Sequence, residues 1–589
     1  MLSASKEKLL SFLSSSNQFV IPFFQRSYVW KTENWAELWE NILEEYEELN
    51  NNNKSEHFIG TIIIKQMLSQ KVGAIEYELI DGQQRLTTIC ILLRAFYDST
   101  EEKNAKKWIE SFYSFVDSYG EKNIRIKHSK VDSENFKSII QNENSNSELW
   151  NEYKDLKIEE LEKKIEQKIS NVLGAYVYFR YRIASDCNID DVRKYINVII
   201  ERLPVIHMAL NADDDVQQIF DTINSLGVKL TTAELLKNHL YSNNSVVKLY
   251  EDYWYNVFEI DEDAIEFWNQ GKTSGRIPRT TVELFLYSYL VIIKESNVKM
   301  ESLFKEFKNY LKDKKDDELI AFAKELYEYA IVYQEMPDGE NLSEITYEEH
   351  EKRFFHIIRE FEITTIFPLI LFIYKKVEDE QERIKILKVL ESYIARRTVC
   401  KLTTKNYNNL FLSLLAETKQ MDKISAENIK EKLLQYSEET NKFPNDDEFK
   451  SAFGTSHLIN KYSREVLYCI ALYQLNSDFT DNSRLNFDGL SVEHIMPKNW
   501  KKNWKNLPEG ITEDYRKHKL LTLGNLTLVK GKLNSSMRDS GWNKKKQALT
   551  KFSTLRQTTD YLNNDDWNEE TIKDRQEKLC ELALKIWSK

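Results

Sequence analysis

From about Asn243 to Phe479 the apolar residues recur at intervals of three and four, as in Phe304, Phe307, Tyr310 and Leu311, and strand signals nearly vanish. A stretch of that length is satisfied by packed helices that each turn one face inward. Only 15 Gly and 8 Pro are available across 589 residues to interrupt them. The whole chain exceeds what one hydrophobic core usually serves, and the helical middle divides it into three zones, expected as domains over residues 1–241, 242–480 and 481–589.

In the first zone, short apolar runs alternate with helical stretches. Phe58–Lys65, Tyr77–Ile80 and Pro204–Leu210 read as strands, which predicts an α/β domain. The fold class expected is α+β, multidomain and mostly helical. Hydrophobic residues at 41% and charged residues at 30% describe folded protein and exclude a disordered chain. The five cysteines are far apart, odd in number and without a CxxC pair, which argues against a disulfide framework and a zinc ribbon and fits a reducing cytoplasm. No N-terminal signal pattern is present and no apolar run approaches the ~20 residues of a membrane span, so a soluble protein without a membrane partner is expected.

A net charge of −12 would ordinarily exclude nucleic acid as a partner, but the charge is uneven. Between Lys498 and Lys551 stand 14 Lys or Arg against 4 Asp or Glu. Around and within that basic stretch lie Ser491-Val-Glu-His-Ile-Met-Pro497, Leu523-Gly-Asn-Leu-Thr-Leu528 and, nine residues after Asn525, Asn534. A carboxylate, an imidazole and an amide can together hold one hard cation and activate one water beside a phosphodiester, and their order suits a strand, strand, helix unit.

His494 is the natural base, since an imidazole titrates near neutral pH. Glu493 and Asn534 are oxygen donors suited to Mg²⁺ or Mn²⁺, and Asn525 would lock the turn and orient the histidine. Residues 493 and 494 face opposite sides of an extended strand, so both serve one site only if the strand ends or twists there, and Pro497 fits such an ending. Lys530, Lys532, Arg538, Lys544, Lys545 and Lys546 would neutralise DNA phosphates without reading sequence. The ordinary reading of such a run is a solvated face, and an EH pair beside proline is a weak signal by itself.

A second site is suggested by Asp81-Gly-Gln-Gln-Arg85, directly after a strand and at the start of a helix. The backbone N–H groups of a helix start attract an anion, and Arg85 adds a planar charge; the plainer alternative is that Asp81 caps the helix and Arg85 pairs with a surface acid. Ile21-Pro-Phe-Phe-Gln-Arg-Ser-Tyr-Val-Trp30 sets Gln25 and Arg26 among aromatics, either as a stacked Arg-lined wall or as an ordinary core strip. In Ile219–Asn238, Asn224 and Gly227 read as a turn between helices, with Thr231 or Thr232 as N-cap.

The PxxQRxYxW stretch at 22–30, DGQQR at 81–85, the FDxxNSxGxxLTxxELLKN stretch at 220–238 and EHIMP…GNLTL…N together resemble GmrSD-type modification-dependent (type IV) restriction endonucleases, including their SspE-like relatives. Glu391-Ser-Tyr-Ile-Ala-Arg-Arg-Thr-Val-Cys400 is also similar to a helical segment of that family's middle. The resemblance implies an N-terminal ParB/sulfiredoxin-like domain that binds and hydrolyses NTP, with GTP, UTP and ATP not distinguished, and a C-terminal ββα-metal HNH nuclease domain. It implies that Asp81, Gly82, Gln83, Gln84 and Arg85 contact or orient phosphates, with Gln25 and Arg26 supporting. Glu234 stands where many relatives carry Asp. The expected function is an NTP-regulated, Mg²⁺-dependent endonuclease that cuts modified, double-stranded phage DNA; a homodimer is compatible with it. A nucleotide-dependent DNA-binding sensor whose HNH domain does not cut is the alternative.

Overall fold

The structure is a computed structural model that describes residues 3–14, 17–22, 25, 27–51, 53–67, 75–128, 130–210, 231–241, 249–274, 277–337, 342–478, 483–504 and 507–589. It is mostly helical, with one mixed sheet near the N-terminus. The chain forms two compact units, Met1–Tyr250 and Glu251–Lys589. Among the described residues, no helix is long and apolar enough to cross a membrane. All five cysteines are free thiols.

The first unit is built on a six-stranded sheet. Its strands are β1 (Ser3–Glu7), β2 (Asn17–Val20), β3 (Thr61–Gln66), β4 (Ile75–Asp81), β5 (Ile126–Lys127) and β6 (Val205–Leu210). Their spatial order is β1-β6-β3-β4-β2-β5. β6 runs parallel to β3 and antiparallel to β1, while β3 and β4 are antiparallel with a register shift between Ile63 and Ile64. The three strands read from apolar runs are therefore neighbours at the centre, and the strands that flank them are shorter or more polar.

Three helices pack this unit: α1 (Thr32–Asn50), α2 (Gln83–Ser99) and α3 (Asn171–Asp186). α2 is buried around its circumference, with Leu86, Ile89, Ile91, Leu92, Leu93 and Phe96 all at 1% exposure or less. Each such side chain contributes roughly 1.5–3 kcal/mol relative to exposure, so α2 is the axis of the core. Some polar groups inside that core form a paired chain: Trp35 Nε1 donates to Tyr28 Oη at 2.8 Å, and Tyr28 Oη lies 2.6 Å from Thr88 Oγ1. The unit ends on α4 (Thr232–Tyr241).

The second unit contains the helical zone, including α5 (Glu380–Val399) and α6 (Asn460–Asp478), and the C-terminal zone. In the latter, β7 (Leu490–His494) pairs antiparallel with β8 (Leu526–Lys530), and helices α7 (Gly531–Met537), α8 (Trp542–Phe552) and α9 (Glu569–Ile586) follow. The polar residues of the Glu391–Cys400 segment tie α5 to the end of α9. Glu391 is fully buried in a two-bond pair with Arg353, at 3.0 Å for each bond, and also accepts from Trp587 Nε1 at 3.0 Å. Arg396 Nε donates to Trp587 O at 2.7 Å. A buried charge of this kind is tolerable because each partner satisfies the other.

Candidate nuclease and phosphate-binding sites

The register of β7 and β8 sets Glu493 opposite Thr527 and His494 opposite Leu526, so the strand ends at the histidine. Asn525 fastens that end. Its Oδ1 accepts from Met496 N at 2.9 Å and Trp567 Nε1 at 3.0 Å, and its Nδ2 donates to Met496 O at 2.8 Å and Leu520 O at 3.0 Å. The side chain is fully buried and all four of its hydrogen-bonding capacities are used, two of them on Met496 in the turn that follows His494 and the others on Leu520 and Trp567. Asn525 thus ties the segment after His494 to Leu520 and to Trp567.

Glu493 is part of β7, and Asn534 reaches that strand from α7. Asn534 Nδ2 donates to Ser491 Oγ at 3.0 Å and Val492 O at 3.1 Å, which fixes the amide and leaves its oxygen without a hydrogen bond among the described residues. Glu493 is 7% exposed. Burial pushes its carboxyl above the usual carboxylate range, and the neighbouring Lys545 ammonium pulls the other way. Burial, with the ammonium groups of Lys498 and Lys545 adding to it, holds the His494 imidazole down at about 4, so it is neutral at pH 7.

One carboxylate and one amide oxygen make a hard donor set, suited to a cation that keeps most of its water. Among the described residues no cluster of three or more His, Cys, Asp or Glu could hold a metal ion. By donor type Glu493 and Asn534 suit a partly hydrated Mg²⁺ or Mn²⁺, and one Glu493 oxygen, Oε1, is here taken by Lys545.

The basic residues separate into two groups. Lys530, Lys532, Arg538 and Lys544 are exposed, and Lys546 is half-buried with Nζ donating to Asn564 O at 3.0 Å. Lys545 has a fully buried side chain and donates to Glu493 Oε1 at 2.5 Å and His494 O at 2.7 Å. It faces Glu493 and the end of β7, whereas Lys544 is exposed and Lys546 is half-buried. Asp539, which spacing did not single out, acts electrostatically on both Glu493 and Lys545. Its signal in the sequence is that it is an acid inside a run of bases.

In the first unit, Gly82 has φ +97°, and a β-carbon there would meet Ile62 Cγ1 at 3.0 Å and Thr61 O at 3.2 Å, so the turn between β4 and α2 requires glycine. Gly82 itself occupies the N-cap of α2, and Asp81 lies 3.7 Å from Arg85. Arg85 Nη1 also donates to Thr61 O at 3.0 Å, and its guanidinium fills the space that a β-carbon on Gly60 would take. Gln84 holds the aromatic stretch in place: its Oε1 accepts from Val29 N at 2.8 Å and its Nε2 donates to Ser27 O at 3.1 Å. Gln25 Nε2 donates to Ile80 O at 3.0 Å, which brings the two motifs together at the strand end. Gln83 is buried. Arg26 and residues 220–230 lie outside the described residues.

The N-terminal domain model of the GmrSD restriction endonucleases matches residues 9–241, and the C-terminal domain model matches residues 443–582. The chain belongs to the GmrSD restriction endonuclease family. An uncharacterized protein of Methanocaldococcus jannaschii is 24% identical over 350 residues, covering 55% of this chain and 55% of the relative. The chain thus spans about half the length of the curated relative it matches. Within the GmrSD N-terminal match, Glu234 is committed locally: its carboxylate accepts from Thr231 N at 2.7 Å while Thr231 Oγ1 accepts from Glu234 N at 3.2 Å, a reciprocal cap on α4. The GmrSD C-terminal match contains β7, β8, α7, α8, most of α9 and every proposed nuclease residue.

Proposed function

We propose that this GmrSD protein is a divalent-cation-dependent DNA endonuclease of the HNH type, with its cutting centre on β7 and α7 and a nucleotide site at the start of α2. The observation that carries the reading is the turn after β7, where Asn525 fixes the backbone beside His494 while Glu493 and the Asn534 amide are both held on the same strand.

His494, neutral at pH 7, takes a proton from the water that attacks phosphorus. A divalent cation held by Glu493 and the Asn534 oxygen would supply positive charge for the phosphate oxygens and the leaving group. Lys530, Lys532, Arg538 and Lys544 sit exposed and pair with the phosphate backbone, which positions the duplex without selecting a base sequence. Arg85, fixed by Thr61 O, meets the phosphates of an NTP at the N-terminus of α2. Nucleotide hydrolysis there gates cutting of modified phage DNA, since an ungated nuclease would damage its host.

The test uses supercoiled plasmid and modified phage DNA with Mg²⁺, with and without NTP, for wild type, His494→Ala and Arg85→Ala. His494→Ala is expected to bind DNA and not cut it, and Arg85→Ala to lose NTP turnover. Equal cutting by wild type and His494→Ala removes the catalytic reading. A wild type that binds but never cuts supports the non-cutting sensor.

A further inference from the structure

The Lys545 side chain is the least expected group beside the proposed cation site. Its side chain has 0% exposure, and that of Glu493 has 9%. A lysine buried to this depth gives up its hydration, and it does so here against a carboxylate that the nuclease reading assigns to a cation. Its ammonium donates at 2.5 Å to Glu493 Oε1 and at 2.7 Å to the carbonyl of His494, so it bridges the carboxylate to the backbone of the base. The lysine comes from α8, which is separate in sequence from the strands and from α7. Asp539, in the segment between α7 and α8, adds a second negative charge that acts on the same ammonium.

We propose that Lys545 is a resident counter-ion of the cation site: it holds Glu493 in place without a divalent cation and competes with that cation for the same carboxylate, so it sets how much cation the site needs. The proposal rests on the endonuclease reading above. Two positive groups within contact distance of one buried carboxylate repel strongly at the low effective dielectric of such a site. An ammonium that stays charged therefore weakens binding of the cation, and one that is absent leaves the carboxylate free to bind it. Lys545 is a positioning residue in this scheme, since it acts through Glu493.

The experiment is Mn²⁺ binding to the full chain, read by the electron paramagnetic resonance signal of free Mn²⁺ and by calorimetry at pH 8, for wild type, Lys545→Met, Lys545→Gln and Lys545→Arg. The Met and Gln variants are expected to reach half-saturation at about a tenth of the wild-type Mn²⁺ concentration or less, and Arg, which keeps the charge, to stay within about threefold of wild type. Mn²⁺ should also raise the unfolding temperature of Met and Gln more than that of wild type, because without it their Glu493 is buried without a counter-ion. Gln retains a donor toward Glu493 and serves if Met does not fold. Unchanged or weaker Mn²⁺ binding in the neutral variants, with wild-type binding intact, overturns the counter-ion role alone. No Mn²⁺ binding by any of the four proteins, or binding unaffected by Glu493→Gln, overturns the cation reading and this proposal with it.

Discussion

Gly524 and Ile572 approach so closely that a β-carbon on the glycine would sit 2.4 Å from the isoleucine's carbonyl oxygen. The obstacle is backbone of α9 and cannot rotate away. Arg575, on the same helix and fully buried, donates through Nη1 to Gly524 O and Leu526 O at 2.8 Å each and through Nε to Gln557 O at 2.7 Å, so α9 clamps the turn that carries Asn525. Gly524→Ala must force α9 and β8 apart. We expect it to lower stability by about 1–3 kcal/mol, in the range of core overpacking, and to reduce DNA cutting by displacing Asn525. Thermal unfolding and plasmid cleavage check this; an unshifted midpoint would show that the turn and α9 separate freely.

That clamp also shows where sequence reading stops. The strands at 61–66, 75–81 and 205–210 were visible because apolar β-branched runs mark central strands, whereas β1, Ser-Ala-Ser-Lys-Glu, has no apolar alternation and is held by its pairing with β6. The strand, strand, helix order that carries Glu493, His494, Asn525 and Asn534 is legible in the spacing of those residues. What Lys545 does was not, since a lysine run reads as solvated surface and only three-dimensional packing turns one member inward. Likewise the resemblance implies that Gln84 contacts or orients phosphates, and only packing shows that its two ends bind the backbone of Ser27 and Val29.

Arg538 ends α7 with φ 39° and ψ −130°, a combination that suits glycine in a type II′ turn and strains a residue with a β-carbon. Its guanidinium is exposed among the bases expected to meet phosphate. Arg538→Gly is expected to gain about 1 kcal/mol of stability while weakening DNA binding uniformly across sequences and lowering the salt slope of log K by about one. Unfolding midpoints and a salt titration of DNA affinity test the two halves together. A glycine variant that is less stable would mean that the turn is not strained.

Burial pushes the His128 imidazole down to about 3. Its Nε2 lies 2.8 Å from Thr87 Oγ1, and Phe136 packs on the ring. Because the folded pKa lies below the unfolded value of about 6.5, the unfolded chain binds more protons between these values, and stability present above pH 6.5 is lost as pH falls toward 3. Asp132, pushed up to about 6 by burial, has the opposite sign: its folded state binds more protons, so stability falls as pH rises from about 4 to 6. His128→Gln removes the first effect and keeps a neutral polar side chain near Asp132, whose Oδ2 lies 3.9 Å from His128 Nδ1. The variant's stability should therefore decline less than wild type's between pH 6.5 and 4, with a difference in slope of up to about 1.4 kcal/mol per pH unit. Parallel curves from denaturant titrations at several pH values would show the histidine to be titrating normally.

At the start of α2 the strain and the chemistry can be separated. Gly60 has φ +115°, and a β-carbon there would lie 2.5 Å from Arg85 Nε and 2.8 Å from Cζ. Here the obstacle is the far end of a flexible side chain, so Gly60→Ala should fold, at a backbone cost of about 1–3 kcal/mol, with the guanidinium moved off its position against Thr61 O. If that position serves the phosphates, Gly60→Ala should weaken nucleotide binding about as much as Arg85→Ala does. In the Arg85→Ala background it should add almost nothing, because the group it displaces is already gone. The double-mutant cycle is read by nucleotide titration, with unfolding midpoints as the control for stability. Additive losses would mean that Gly60 acts on the site through the backbone of β3 and that the placement of Arg85 is incidental.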